Sequence, residues 1–117
     1  MPFHHPLRVI FFRTGAGNEP VREWLKDLPK EERTLVGEDI KTVQFRWPLG
    51  MPLVRHLAEK IYEVRTNLPA RIARTLFFIH EETIILLHGF VKKTRQTPGD
   101  DLALAKRRKR DYQNTHE

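Results

Sequence analysis

The chain has 117 residues, which suits one domain with one hydrophobic core and is too short for two ordinary domains. It carries 21 Lys and Arg against 15 Asp and Glu, a formal charge of +6, and most of the excess lies in residues 59–117. A basic balance of this kind favours a polyanionic partner, nucleic acid first. The absence of cysteine excludes disulfides, thiolate zinc sites and cysteine nucleophiles.

The sequence also argues against a membrane protein and a metalloprotein. No segment approaches the roughly 20 apolar residues of a membrane-spanning helix, and no charged N-terminal region leads into a long apolar stretch. We therefore expect a cytoplasmic protein with no membrane partner. His4 and His5 have no further ligands at a suitable spacing, so we expect neither a metal site nor a cofactor.

The N-terminal half predicts one strand and a pair of helices. A β-branched and aromatic run, Leu7–Phe12, is typical of a strand. The first helix begins after Asn18, and the second begins at Pro29 and ends before Pro48. Their apolar stripes, at helical spacing, are Val21, Trp24, Leu25 and Leu28, then Val36, Ile40, Val43 and Trp47. Two adjacent helices of this kind predict a hairpin that buries one face.

The C-terminal half predicts three strands and a final helix. Residues Gly50–Leu57 show no hydrophobic period, so we expect a loop there. The predicted strands are Ile61–Arg65, Arg71–His80 and Thr83–Val91, with a turn at Thr66–Pro69, and the final helix is Asp100–Tyr112. This order predicts a single α+β domain over residues 1–117. Its small antiparallel-rich sheet carries the helical hairpin on one face, and a C-terminal helix follows.

Three arginines lie within the predicted hairpin of strands, at Arg65, Arg71 and Arg74. A guanidinium stays charged, so burying one requires an anion, either a carboxylate of the chain or a phosphate of a partner. Because side chains alternate across a strand, Arg71 and Arg74 are expected on opposite faces. Pairing of Arg65 and Arg74 with Glu59 or Glu63 is the purely structural alternative to a role in RNA binding.

The last predicted strand ends in Lys92 and Lys93, and no carboxylate follows until Asp100. These lysines therefore have no evident local counter-ion. Together with Arg74 on the neighbouring strand, they are expected to converge on one patch. Converging cations repel one another, and binding of a phosphate explains them better than stability does.

Other polar residues give weaker indications of a site. His88 titrates in a useful range, but its place in an apolar strand is typical of a core histidine with satisfied hydrogen bonds. His56, before the hairpin, is the more accessible histidine, and Tyr62 is expected in the core. The basic run of the final helix suits either a solvated helix end or contact with RNA. The remaining candidate RNA contacts are Arg71, Arg95, His56, Lys106 and Arg107.

Three segments together resemble the RelE/ParE superfamily of bacterial toxins, in its HigB-like branch, which is also described as phage Gp49-like. They are Ile61–Arg65, Arg71–Phe78 and His88–Thr94, the last with Pro98 beyond it. The resemblance extends over nearly the whole chain. It implies a small sheet with helices on one side and a concave basic face on the other.

The resemblance also implies the toxin component of a type II toxin-antitoxin system. Such a toxin is a metal-independent endoribonuclease that cleaves mRNA on the ribosome, and a helix-turn-helix, HigA-like antitoxin neutralises it. By position, Arg74 matches the arginine that holds the scissile phosphate, and Arg65 matches the arginine ending the preceding strand. Lys92 and Lys93 match the basic residues that close the last strand. The catalytic tyrosine of RelE has no clear match, since Tyr112 comes much later.

Metal-free RNA cleavage needs an aligned 2′-hydroxyl, neutralisation of charge on the phosphate, and two proton transfers. In this hypothesis Arg74 holds the phosphate with support from Arg65, and Lys92 or Lys93 transfers a proton. Two alternatives remain open: a ParE-like toxin that poisons DNA gyrase without nuclease activity, and a non-catalytic RNA-binding module.

Overall fold

The computed structural model describes residues 5–92 and 97–116 of the chain. In this part of the chain the strands are β1 (Arg8–Phe11), β2 (Val54–Ala58), β3 (Ile61–Leu68), β4 (Arg71–His80) and β5 (Thr83–Lys92). The helices are α1 (Pro20–Asp27), α2 (Lys30–Arg46) and α3 (Gly99–Thr115). The sheet has the order β1-β5-β4-β3-β2, with β1 parallel to β5 and the other neighbours antiparallel. The predicted α+β class is confirmed.

The helices α1 and α2 cover one face of the sheet, because their predicted apolar stripes are buried there. Val21 of α1 and Val36 and Val43 of α2 are at most 1% exposed. They belong to one hydrophobic cluster that includes Val64 of β3 and Phe77 of β4. The helical hairpin on one face, predicted from the spacing of these residues, is therefore present.

A glycine allows α1 to approach the sheet closely. A Cβ atom added to Gly89 of β5 would lie 2.1 Å from Cε3 of Trp24, which is far inside van der Waals contact. The indole of Trp24 therefore occupies the space that any other residue at this position would fill.

The helix α3 covers the opposite face of the sheet over a second hydrophobic cluster. Its buried members are Phe12, Ile61, Leu76, Phe78, Ile85, Leu87, Phe90, Ala105 and Tyr112. The central strands are thus buried on both faces, which explains the uninterrupted apolar run Ile84–Leu87. The open basic face implied by the resemblance is replaced, over most of this side, by an apolar core beneath α3.

The segment predicted as a loop, Gly50–Leu57, contains most of the edge strand β2, so that prediction is wrong. β2 pairs antiparallel with β3, with Val54 opposite Val64 and an irregularity between His56 and Ala58. Only Val54 among its five residues is fully buried. A short edge strand with so little buried surface leaves no clear alternation in the sequence.

The other predicted boundaries differ by a few residues. β3 runs on to Leu68 rather than ending at Arg65, so the turn shortens to Pro69 and Ala70. Ala70 has a φ of 62°, in the left-handed region that such tight connections require. β4 has the predicted limits, β5 extends one residue further, and α3 extends at both ends.

A bulge in β5 decides which way the end of this strand points. Leu86 and His88 lie opposite the adjacent residues Phe77 and Leu76 of β4, so Leu87 is an extra residue in the ladder. His88 consequently faces α3, and so does every second residue after it. In a strand without a bulge, His88 would share the α1 and α2 face with Leu86.

Candidate functional site

The α3 face of the sheet carries a block of polar side chains where β5 ends. In one row Arg65 of β3 lies opposite Arg74 of β4, which in turn lies opposite Phe90 of β5. Neighbouring positions on the same face add Glu63 of β3 and His88 of β5, both opposite Leu76, and Lys92 of β5, opposite Ile72. We call these charged and titratable residues the polar cluster: Glu63, Arg65, Arg74, His88 and Lys92.

At the centre of the polar cluster is a buried ion pair. Arg74 and Glu63 are both 0% exposed, and Nη1 of Arg74 donates to Oε2 of Glu63 at 3.4 Å. Nε of Arg65 is 3.9 Å from Oε1 of the same carboxylate, and the Arg65 side chain is 20% exposed. Glu63 is therefore shared by two arginines in directly opposite positions, where like charges destabilise a sheet. The structural alternative, pairing of Arg74 with Glu63, is the arrangement that the structure shows.

The segment just before α3 contacts this ion pair. The hydroxyl of Thr97, two residues before the helix, donates to Oε2 of Glu63, the same oxygen that Arg74 contacts. In this conformation the guanidinium of Arg74 does not reach solvent. A group from outside the chain therefore does not reach Arg74 in this conformation.

A second carboxylate, from α3, binds two further members of the cluster. Oδ1 of Asp101 lies 2.6 Å from Nε2 of His88, and Oδ2 accepts a hydrogen bond from Nζ of Lys92 at 3.1 Å. The expectation that Lys92 lacks a local counter-ion is wrong, because α3 folds back and supplies one. The Lys92 side chain is still 47% exposed and also faces solvent.

The surroundings fix the charges of this histidine and aspartate at neutral pH. Burial lowers the pKa of His88 below its usual 6.5, and the nearby charges of Arg108 and Lys92 act in the same direction against Asp101. Burial tends to raise the pKa of Asp101, but the hydrogen bonds with His88 and Lys92 outweigh it and lower that pKa below 3.8. Both shifts favour a neutral His88 and an ionised Asp101 near pH 7.

Two of the candidate RNA contacts lie away from the polar cluster. Arg71 points to the α2 side of β4, as alternation predicts, and its guanidinium pairs with Glu32. His56 of β2 also lies on that side, with its ring centroid 5.2 Å from that of Tyr62. Tyr62 is partly buried against the first hydrophobic cluster, in line with its expected core position.

Some side chains in the basic run of α3 contact other parts of the chain, and others are exposed to solvent. Nζ of Lys106 lies 3.3 Å from Oε2 of Glu59, while Arg107 is exposed. Nη1 of Arg108 donates to the carbonyl of Leu87 at 2.8 Å, so this arginine anchors α3 at the bulge of β5. The two remaining candidates, Lys93 and Arg95, lie outside the described residues.

Tyr112 lies away from the polar cluster. It is 8% exposed and packs against Phe78 and His80, near the start of β5, whereas the polar cluster lies at the end of that strand. Burial and the charge of Glu81 raise the pKa of Tyr112 above 10. Tyr112 therefore belongs to the second hydrophobic cluster and not to the polar cluster.

Sequence reasoning missed the two residues of the α3 segment that complete the site, Thr97 and Asp101. An acid in the first turn of a helix is common, because it interacts favourably with the helix dipole. Nothing local to Asp101 indicates that it faces His88 and Lys92. The one usable signal is the strand-to-helix reversal, which brings the start of α3 back over the end of β5.

Within residues 5–92 and 97–116, no helix combines the length and the apolar character that crossing a membrane requires. The same part of the chain contains no group of three or more His, Asp or Glu side chains placed to hold a metal ion.

Comparison with known proteins identifies the family. Residues 23–110 match the family model described as phage-derived protein Gp49-like (DUF891), which is more than half of the chain and includes the polar cluster and Asp101. No match was found among curated proteins. The Gp49-like family is a RelE/HigB-like family associated with the toxins of toxin-antitoxin systems. Because this family model covers most of the chain, the chain belongs to the Gp49-like family of phage-derived proteins.

Proposed function

We propose that the protein is a HigB-like toxin that cleaves mRNA on the ribosome without a metal ion. The observation that carries this proposal is the direct opposition of Arg65 and Arg74 around one shared carboxylate. With the Arg74 guanidinium uncovered, the two guanidinium groups would offer a phosphate two bidentate donors. Lys92 on the same face adds a solvent-exposed ammonium. Membership of the Gp49-like family supports the toxin assignment.

The proposed reaction is attack of a ribose 2′-oxygen on the adjacent phosphorus. Arg65, the more exposed arginine, contacts the phosphate first. Arg74 joins it when the Thr97 contact opens, and both neutralise the charge that develops in the transition state. Lys92, with Lys93 beside it in sequence, contributes to proton transfer. The exposed Arg107, with Lys106 and Arg95, is proposed to contact flanking RNA.

We also propose a helix-turn-helix, HigA-like antitoxin as the partner, and the cytoplasm as the site of action. Both proposals rest on the family and on the resemblance of the strand segments.

Primer extension on mRNA from cells that express the protein tests the proposed function. We expect new 5′ ends inside translated codons with the wild type. Arg65→Ala should reduce their number by about tenfold or more, since a charge-assisted hydrogen bond contributes about 1.5–3 kcal/mol. The matched control is Arg22→Ala, which removes a 57% exposed arginine on α1 and should cleave like the wild type. Intact mRNA in cells that express the wild type would contradict the proposal.

A ParE-like gyrase poison is the second candidate function, and one observation favours it. Arg74 is fully buried against Glu63, so the cation most needed for RNA cleavage is not presented to solvent in this conformation. This candidate predicts intact mRNA together with induction of the DNA damage response. A non-catalytic RNA-binding module predicts instead that Arg65→Ala weakens RNA binding and toxicity in the same proportion.

A further inference from the structure

We propose that His88 is the general base of the proposed RNA cleavage and that Asp101 is its positioning residue. This assignment rests on the proposed function and adds a proton acceptor that the arginines and lysines do not provide. The geometry points to it because Oδ1 of Asp101 lies 2.6 Å from Nε2 of His88 on the same face as Arg74. A histidine oriented by a carboxylate is an arrangement suited to proton transfer.

The contact with Asp101 decides which ring nitrogen accepts the proton. Because Asp101 is ionised, it accepts a hydrogen bond from Nε2–H of His88, and the lone pair then lies on Nδ1. The second oxygen of Asp101 binds Nζ of Lys92 at 3.1 Å. One carboxylate therefore holds a neutral base and a charged ammonium side by side.

The position of His88 suits a group that acts on a phosphate held by the arginines. Arg74 lies opposite Phe90, and Phe90 comes two residues after His88. Arg74 and His88 are therefore diagonal neighbours on the adjacent strands β4 and β5, a position in which Cα atoms are about 7–8 Å apart. The His88 side chain is 16% exposed, and its ring lies against that of Phe90 with centroids 5.4 Å apart. A partly buried imidazole of this kind is held in place yet reaches the surface.

Charged groups face His88 from each of the elements that pack against it. Among the described residues they are Lys92 of β5, Asp101 and Arg108 of α3, and Arg74 of β4 at the diagonal position. Burial and the cations Arg108 and Lys92 disfavour the imidazolium, so His88 is available as a base, and the ammonium of Lys92 lies beside it on the other oxygen of Asp101.

The proposed step balances as follows for atoms and protons. Nδ1 of His88 takes the proton of the 2′-hydroxyl while the 2′-oxygen forms a bond to phosphorus. The bond from phosphorus to the 5′-oxygen breaks, and the ammonium of Lys92 gives that oxygen a proton. The products are a 2′,3′-cyclic phosphate and a 5′-hydroxyl, and proton exchange with water restores both side chains.

A purified translation reaction, with cleavage rates measured from pH 5.5 to 8.5, tests the assignment. We expect the wild-type rate to rise with pH as the imidazolium loses its proton. The cleavage rate of His88→Gln should be lower by about 100-fold or more and should no longer rise with pH, as expected when a general base is removed. Asp101→Asn should lower the rate and shift the rise. The matched control is Asp100→Asn, which changes the exposed neighbouring acid in the same helical turn and should behave like the wild type.

Nitrogen NMR of the wild type gives a readout that does not depend on activity. At pH 7 we expect the Nε2–H tautomer of His88, and a mixture of tautomers in Asp101→Asn. If His88→Gln does not fold, the pH profile of Asp101→Asn and the wild-type tautomer decide the question.

Three outcomes would overturn the assignment. A wild type that cleaves RNA no faster than His88→Gln overturns it alone and leaves the proposed function standing. An Asp101→Asn variant that loses thermal stability but keeps the wild-type pH profile shows that the contact only anchors α3. A wild type that leaves RNA intact overturns the proposed function and the assignment together.

Discussion

Substitution of Glu63 by glutamine tests how strongly the buried ion pair contributes to stability. Glu63 and Arg74 are both 0% exposed, so the pair is fully removed from water. Removing one partner of a buried pair costs about 3–5 kcal/mol, because the remaining charge loses its partner in a low-dielectric interior. For a domain of this size 1 kcal/mol corresponds to roughly 4 °C in Tm. We therefore expect Glu63→Gln to lower Tm by about 12–20 °C.

Thermal unfolding followed by circular dichroism measures this effect, and the chain offers a matched control. Glu32→Gln breaks the pair between Glu32 and Arg71 on the other face, where the Arg71 side chain is 38% exposed. A pair that is partly open to water contributes only about 0–1 kcal/mol, so Tm should fall by a few degrees at most. Equal Tm values for Glu63→Gln and Glu32→Gln would refute the reasoning about burial.

Two further predictions concern packing and pH. Gly89→Ala places a Cβ atom 2.1 Å from the Trp24 ring, so we expect it to lower the free energy of unfolding by about 1–3 kcal/mol and to shift tryptophan emission to the red. In Gly37→Ala of α2 the added Cβ atom meets no neighbouring group within 4 Å, so the free energy of unfolding should rise by up to about 1 kcal/mol. Equal urea midpoints for the two variants would contradict this. Because folding lowers the pKa of His88 below 6.5, the unfolded chain takes up a proton first, so stability is full above about pH 6.5 and falls as the pH drops below it. Folding also lowers the pKa of Asp101, whose contribution is present above about pH 3.8 and is lost as the pH falls through the folded value. Urea midpoints at pH 7.5 and 5.5 check the histidine effect, which should be weaker in His88→Gln; the same loss in both proteins would assign it to other groups.

The parts of the fold that were predictable are those in which many residues repeat one local signal. The apolar stripes of α1 and α2, and the run Ile84–Leu87, each reflect burial along a whole element. β2 was missed because one buried residue, Val54, gives no period. The side of the sheet on which His88 lies was not predictable either, since the extra residue Leu87 reverses the alternation without any mark in the sequence.

The candidate site was only partly predictable, because its counter-ions come from elsewhere in the chain. The pairing of Arg74 with Glu63 was foreseen as an alternative, since both lie in the same predicted hairpin. The carboxylate of Asp101 was not, because it reaches Lys92 and His88 only when α3 folds over the sheet. Local spacing indicates which residues share a strand face but does not indicate which helix covers it.

The central claim is that the arginines of the polar cluster bind the phosphate at which RNA is cut. The most direct measurement compares the wild type with the double variant Glu63→Leu/Arg74→Met in a purified translation reaction, with the 3′ ends of the RNA fragments identified chemically. Replacing a whole buried ion pair by apolar side chains of similar volume is often neutral for stability, so the double variant should fold. The account predicts 2′,3′-cyclic phosphate ends with the wild type and none with the folded double variant. A folded double variant that produces the same ends at the same rate would contradict it.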